Sequence, residues 1–321
     1  MRLLLSFFIA GAILTAPASA ADYPNRPVTL VVAFTPGGPS DVLARIVGKK
    51  MGDLLGQTFV IENRPGAGGN IAADSVAHAN ADGYTLLMGN NSILATNEAL
   101  YKHITYSPQK DFIPITLIGT QANILVVNND LPAHSLKELI ALAKAQPGKL
   151  NFASSGFGAA AHLSGELFKT EAKIDIVHVP YKGAAPALQD VIAGHDQMMF
   201  ATAASVVGQI NGGQVRALAV TTIKRTTVLP DLPTMDEAGL KNFEASTWHG
   251  LVAPTGTPPE VIATLHDAAI KALADPGVQA SLAKLGVDIV GDTPKEFGAY
   301  ITAEIPKWTA IVKASGATLD Q

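Results

Sequence analysis

Residues 28–55 read VTLVVAFTPGGPSDVLARIVGKKMGDLL. Val28 to Phe34 is an almost unbroken apolar run, as expected of a strand covered on both faces. Thr35-Pro36-Gly37-Gly38-Pro39-Ser40-Asp41 turns the chain. From Asp41 to Leu55 the apolar residues Val42, Leu43, Ile46, Val47, Met51, Leu54 and Leu55 recur at three- and four-residue spacing, giving a helix with one apolar face. A buried strand, a glycine turn and an amphipathic helix in succession form the repeating unit of a parallel α/β sheet.

Working outward, the same unit recurs. Strands are expected over Thr58–Glu62, Tyr84–Gly89, Ile124–Asn128, Leu150–Ser154, Ile174–Val179, Gln197–Ala201, Val215–Thr221 and Gly250–Ala253. Helices are expected over Ile71–His78, after Ser135, from His162, over Ala184–Ala193 and from Pro259 to Leu273. A last helix carries Phe297, Tyr300, Ile301, Ile305, Trp308 and Ile311. Ser135 caps its helix with Glu138 three residues on, and Pro147-Gly148 stops it. Two successive α/β units and a C-terminal return predict an α/β protein of two lobes, one over 21–124 with 251–321 and the other over 125–250. Each lobe is expected to be a mostly parallel sheet flanked by helices, with the ligand beyond the carboxyl ends of the strands.

Composition narrows the chemistry. The chain has 321 residues, 48% hydrophobic and 16% charged, with 29 Gly, 20 Pro and no Cys. It is too apolar for disorder and ample for a large core. Without Cys there is no disulfide, no Cys-ligated zinc and no thiol nucleophile. A net charge of −4 gives no electrostatic support for nucleic acid. The first twenty residues read as a signal peptide: Arg2, an apolar stretch from Leu3 to Ile13, and Ala18-Ser19-Ala20 as the cleavage site. No later run is long enough to span a bilayer. The mature protein is therefore expected in a bacterial periplasm, not embedded in the membrane.

Two loops carry the functional expectation. In Thr35–Asp41 the glycines allow close backbone approach, Ser40 or Asp41 can cap the following helix, and the free N–H groups there favour an anion. The same residues would also serve a plain strand–helix turn. Ser154-Ser155-Gly156-Phe157-Gly158-Ala159-Ala160-Ala161-His162 stands at the equivalent place in the second unit. Two such loops, one per lobe, could hold one anion between them. Asn91 and Ser92 can donate to a ligand or close an Asx turn. His162 reads as a carboxylate donor or a satisfied structural residue, and Lys182 as an anion-attracting or a solvated cation. The histidines show no metal spacing, a Walker loop and a Gly-x-Ser-x-Gly elbow are absent, and no cofactor is expected. A secreted hydrolase using Ser154 or His162 is the alternative from a different class.

The ordered motifs resemble one family. They are Tyr23-Pro24-x-Arg26-Pro27, Pro36-Gly37-Gly38-x-x-Asp41, Arg64-Pro65-Gly66-Ala67-Gly68-Gly69-Asn70-Ile71 and Asp82-Gly83-Tyr84-Thr85-Leu86-Leu87. Ser155-Gly156-x-Gly158, His162-Leu163-x-Gly165-Glu166-Leu167-Phe168, Val179-Pro180-Tyr181-Lys182-Gly183, Arg216 to Thr221, Leu229 to Thr234 and Ala253-Pro254-x-Gly256-Thr257-Pro258 continue them. This set resembles the extracytoplasmic solute receptors of tripartite tricarboxylate transporters, the Bug receptors. The resemblance implies a hinged, two-lobed binding protein of the type II periplasmic kind, monomeric, that passes a small organic acid to the subunits of a membrane permease. A ligand-sensing subunit for a membrane kinase is a further alternative, since it too begins with a closed, loaded receptor. Carried over by position, the site comprises Phe34, Thr35, Gly37, Gly38, Ser40, Asp41, Asn91, Ser92, Ser154, Ser155, Gly158, Ala159, His162, Ala201 and Thr202. Many relatives hold an Asp where this chain has Ala201, a departure that favours a simple carboxylic acid over an amino acid.

Overall fold

The computed structural model describes residues 23–156, 158–181 and 183–319. The expected signal segment and cleavage point lie outside the described residues, as do Phe157 and Lys182. The chain first lays down β1 (Val28–Val32), α1 (Pro39–Leu55), β2 (Phe59–Asn63), α2 (Asn70–Ala77), β3 (Thr85–Asn90), α3 (Asn97–Leu100) and β4 (Phe112–Gln121). It continues through β5 (Asn123–Val127), α4 (Leu136–Ala145), β6 (Asn151–Ser154), α5 (Ala160–Ala172), β7 (Val177–Pro180), α6 (Ala184–Ala193), β8 (Met198–Thr202), α7 (Ala203–Asn211) and β9 (Arg216–Val220). It then returns with β10 (Thr247–Pro254), α8 (Pro259–Leu273), α9 (Pro276–Lys284), β11 (Val287–Ile289) and α10 (Pro294–Ser315).

Two mixed sheets result, in the orders β11-β4-β10-β3-β1-β2 and β7-β6-β8-β5-β9. In the first, β1 pairs in parallel with β2 and β3, while β10 runs antiparallel to β3 and β4. In the second, β6 pairs in parallel with β7 and β8, while β5 runs antiparallel to β8 and β9. β1 to β4 thus share one direction, as do β6 to β9. β5, β10 and the short edge strand β11 run against this direction; of these, β5 and β10 arrive from the other sheet, β5 following β4 and β10 following β9.

Those two passages lie side by side. Ala122 alone separates β4 from β5. Thr221, just past β9, donates its N–H to Asn123 O (2.9 Å) and accepts the Ala245 N–H on its own carbonyl (3.0 Å). Its hydroxyl accepts from Asn123 N (3.1 Å) and donates to Ala245 O (3.0 Å). The Asn123 side-chain amide also donates to Ala245 O (2.8 Å).

Each sheet is covered on both faces, as the apolar runs require. On the first sheet Leu43, Ala44, Val47 and Met51 of α1 pack with Leu265, Ala269 and Ala272 of α8 against Leu30, Val32, Leu86, Leu251 and Ala253. On the second, Ala187, Leu188 and Val191 of α6 and Val206 of α7 cover Ile124, Val126, Met199 and Ala201. The other faces of the two sheets share one continuous core, in which Trp248, Phe297 and Trp308 join Phe152, Phe168, Phe200 and Phe243. Within it, Glu304 of α10 accepts from both Trp308 Nε1 (2.7 Å) and Trp248 Nε1 (3.1 Å).

β4 and β11 carry no strand expectation from the sequence. β4 holds Pro114 and Gly119, residues that argue against a central strand. β11 pairs only with Gly119 to Gln121, so at Pro114 the strand has β10 on one side alone and lacks no ladder partner for its missing N–H.

Candidate functional site

β1 and β3 are neighbours, so the turns after both emerge at one edge of the first sheet beside β10. His249 of β10 stands opposite Asn90, the last residue of β3. Its Nε2 lies 2.9 Å from Ser40 Oγ in the first turn of α1. Ser40 thereby meets the imidazole, and Asn91 and Ser92 follow directly on Asn90, the residue paired with His249. Gly37 has φ of +84°, which a side chain would strain. Gly38 is the N-cap residue of α1, with extended backbone at φ −75° and ψ 167°.

Neither Ser40 nor Asp41 caps α1, contrary to the expectation from sequence; no side chain caps it. The helix starts at Pro39, two residues earlier than expected, which puts both inside the first turn. Ser40 instead meets His249. The Asp41 carboxylate accepts from Gly37 N (2.9 Å), from Nε and Nη2 of Arg45 (both 2.9 Å) and from Asn63 Nδ2 (2.9 Å). Asn63 Nδ2 also donates to Phe34 O (2.9 Å). The Arg45 guanidinium, ahead of the Gly37 and Asn63 donors and against the penalty of burial, lowers the Asp41 pKa to about 2. Asp41 therefore braces its own loop, and its main-chain N–H is what it can offer a guest. The N–H groups of Ser40 and Asp41 sit where an α-helix provides no acceptor of its own.

The second loop follows β6 and is held as firmly. Ser154 is fully buried. Its hydroxyl lies 2.6 Å from His178 Nε2, accepts from Gly156 N (3.1 Å) and lies 3.1 Å from Gly156 O. Gly158 N–H donates to His162 Nδ1 (3.0 Å), which assigns the ring proton of neutral His162 to Nε2. The two imidazoles stack with centroids 4.0 Å apart, and His178 stacks on Phe152. Burial, then the neighbouring His178 and Lys169, pushes the His162 pKa down to about 3. Burial and then Lys169 push His178 down to about 4. The serine–imidazole pair of this loop is thus Ser154 with His178, not His162, and its hydroxyl is engaged by the loop itself.

α5 begins behind Ala159 with no side-chain cap, the same arrangement as α1. Its first-turn N–H groups belong to Ala160, Ala161 and His162. Gly158 has φ of +74°, and a Cβ there would lie 2.3 Å from Leu100 Cδ2, so this loop seats directly on α3 of the first lobe. Thr202 ends β8, two strands from β7 and next to β6. Its hydroxyl donates to Ser205 Oγ (3.0 Å) at the start of α7, which again has no side-chain cap. Ala201 packs its methyl group into the core beneath α6 and α7. Phe34, Ser92, Ser155 and Ala159 are half-buried, Thr35 is exposed and Asn91 is buried.

Sequence reasoning missed His249, His178, Asn63 and Leu100. Each acts across the sheet or between lobes, and no local pattern marks such a partner. Among the described residues no cluster of His, Asp or Glu is placed to hold a metal ion, and no helix is long and apolar enough to cross a membrane. The arrangement offers an anion hydroxyls and helix-terminal N–H groups. Arg45, the cation bonded to the first loop, is spent on Asp41 and Asn63.

The family described as tripartite tricarboxylate transporter family receptor matches residues 43–317. Protein BugT of Bordetella pertussis is 39% identical over 316 residues, 98% of this chain and 97% of its own. The structure of R. palustris Rpa4515 with adipate has a TM-score of 0.79 at 39% identity, covering 93% of this chain and all of the other. MatC from Rhodopseudomonas palustris with bound malate has a TM-score of 0.75 at 35% identity, covering 90% and 100%.

Proposed function

The chain belongs to the tripartite tricarboxylate transporter receptor family, and from that premise we propose that it captures a small organic acid between its two lobes and passes it to the large and small subunits of a membrane permease. The lobes comprise 21–124 with 251–321, and 125–250. The protein acts as a monomer in the periplasm after cleavage behind Ala20. It binds and releases its guest without reacting on it.

One observation carries this reading. α1 and α5 start directly after inner, parallel-paired strands of different sheets, and each leaves its N-terminus without a side-chain cap. Such termini favour a carboxylate through unpaired N–H groups and the helix dipole, without a countercharge. Three neutral imidazoles brace the two loops and add donors but no charge. A neutral cradle of this type suits reversible capture, because it avoids the desolvation of a buried ion pair. Micromolar affinity needs about 8 kcal/mol, within reach of several charge-assisted hydrogen bonds formed as the lobes close. Relatives have been solved with adipate and with malate, which makes these the first probes.

The test is a thermal-shift screen of mono-, di- and tricarboxylates and aromatic acids, followed by calorimetry. A guest that binds only the folded protein raises the melting temperature by mass action. At least one acid is expected to do so. Indifference to every organic anion in the panel overturns the reading.

A further inference from the structure

We propose that His249 is a positioning residue of the candidate site: its imidazole turns the Ser40 hydroxyl onto a bound carboxylate. This rests on the carboxylate-receptor reading above. Ser40 and His249 are 4% and 2% exposed, and the 2.9 Å contact between them is the one side-chain hydrogen bond either makes among the described residues. His249 reaches α1 from β10, on the face it shares with Leu251 and Ala253, where it also stands opposite Asn90 in the ladder. Burial lowers its pKa to about 4, so the ring is neutral at ordinary pH.

A neutral imidazole and a hydroxyl can each donate or accept, which gives the pair two states. In one, Ser40 O–H donates to Nε2 and the ring proton sits on Nδ1. In the other, Nε2–H donates to Ser40 Oγ and the hydroxyl proton is released to another acceptor. A carboxylate accepts only, so a guest beside the first turn of α1 selects the second state. The ring then satisfies the oxygen while the hydroxyl points outward. The proton count is unchanged, because the ring exchanges one tautomer for the other. Ser154 shows the contrast: Gly156 and His178 already occupy its hydroxyl, so the equivalent pair in the second lobe braces the backbone.

The experiment uses the full mature chain and the panel acid with the largest thermal shift, adipate and malate being tried first. Nitrogen-15 NMR of histidine-labelled protein reads the tautomer, and a protonated His249 Nε2 is expected in the loaded state. A loaded state with the proton on Nδ1 overturns the proposal. Calorimetry is expected to show about tenfold weaker binding for His249→Phe, the scale of one directed hydrogen bond. The same replacement in a Ser40→Ala background should change affinity by less than about twofold, because the ring acts through that hydroxyl. His249→Gln, whose amide can both donate and accept, should recover most of the loss, and it supplies the comparison if the Phe variant does not fold. Equal losses in both backgrounds, or undiminished binding by both His249 variants, overturn the proposal. Failure of the wild type to bind any acid overturns instead the receptor reading on which it depends.

Discussion

At the residue scale, Gly38 separates a conformational glycine from a spatial one. Its φ is negative and a Cβ there would lie 3.4 Å from Thr35 O, an ordinary contact. The fold does not require glycine at this position, whereas Gly37 needs its positive φ. Gly38→Val is therefore expected to keep the melting temperature of the ligand-free protein and lose most acid binding, with calorimetry and thermal unfolding read together. Retained affinity would move the site away from the first loop. The stacked pair His162–His178 makes a second prediction. Both rings titrate far below the ordinary histidine value in the fold, with Lys169 near both and Glu166 Oε1 4.0 Å from His162 Nε2. The unfolded chain therefore takes up protons first as the solution is acidified. The stability these neutral rings contribute is complete above about pH 6.5, the unfolded value, and drains away as pH falls toward 4 and 3. Urea unfolding at several pH values should show this slope, and His162→Gln should flatten it. Both loops were legible as glycine-rich strand–helix turns. Their imidazole braces were not, because His178 and His249 come from distant strands and nothing beside them in sequence marks a partner.

At the scale of the element, the helices with full capping signals were the easiest to place. Ser135 accepts from Glu138 N, as the S-x-x-E spacing predicts. Thr293 and Glu296 form a reciprocal box at the start of α10. α3, α7 and α9 were missed despite lying in apolar stretches. α3 is a single turn, and α7 begins directly on the last residue of β8, so no loop separates two periodicities. α9 begins at Pro276 behind Asp275, whose carboxylate accepts from the Gly277 and Val278 N–H groups, a capping signal that the sequence carries. Removing the α10 box by Thr293→Ala should cost about 1 kcal/mol in denaturant unfolding. The loss should leave acid affinity unchanged, since that terminus is far along the chain from both loops and bonds within its own turn.

At the scale of the whole molecule, alternation of strand and helix announced two α/β halves, but not the strands that cross between them. Nothing in the apolar runs of β5 or β10 records that each runs against its neighbours. For these two strands the reversal accompanies the passage from one sheet to the other. The crossings are held together by Thr221, whose hydroxyl serves Asn123 and Ala245 at once. Thr221→Val keeps the shape and leaves the buried Asn123 N–H without an acceptor, a loss expected at about 1–3 kcal/mol. Chemical denaturation measures it, and a change within error would mean the crossings do not depend on this tie. The second sheet is drawn entirely from the uninterrupted stretch between Asn123 and Ala245, whose ends meet at a 2.8 Å hydrogen bond. In genetic terms, one half of the receptor is a cassette spliced into the other, and an exchange of that cassette between relatives needs only two junctions that already touch.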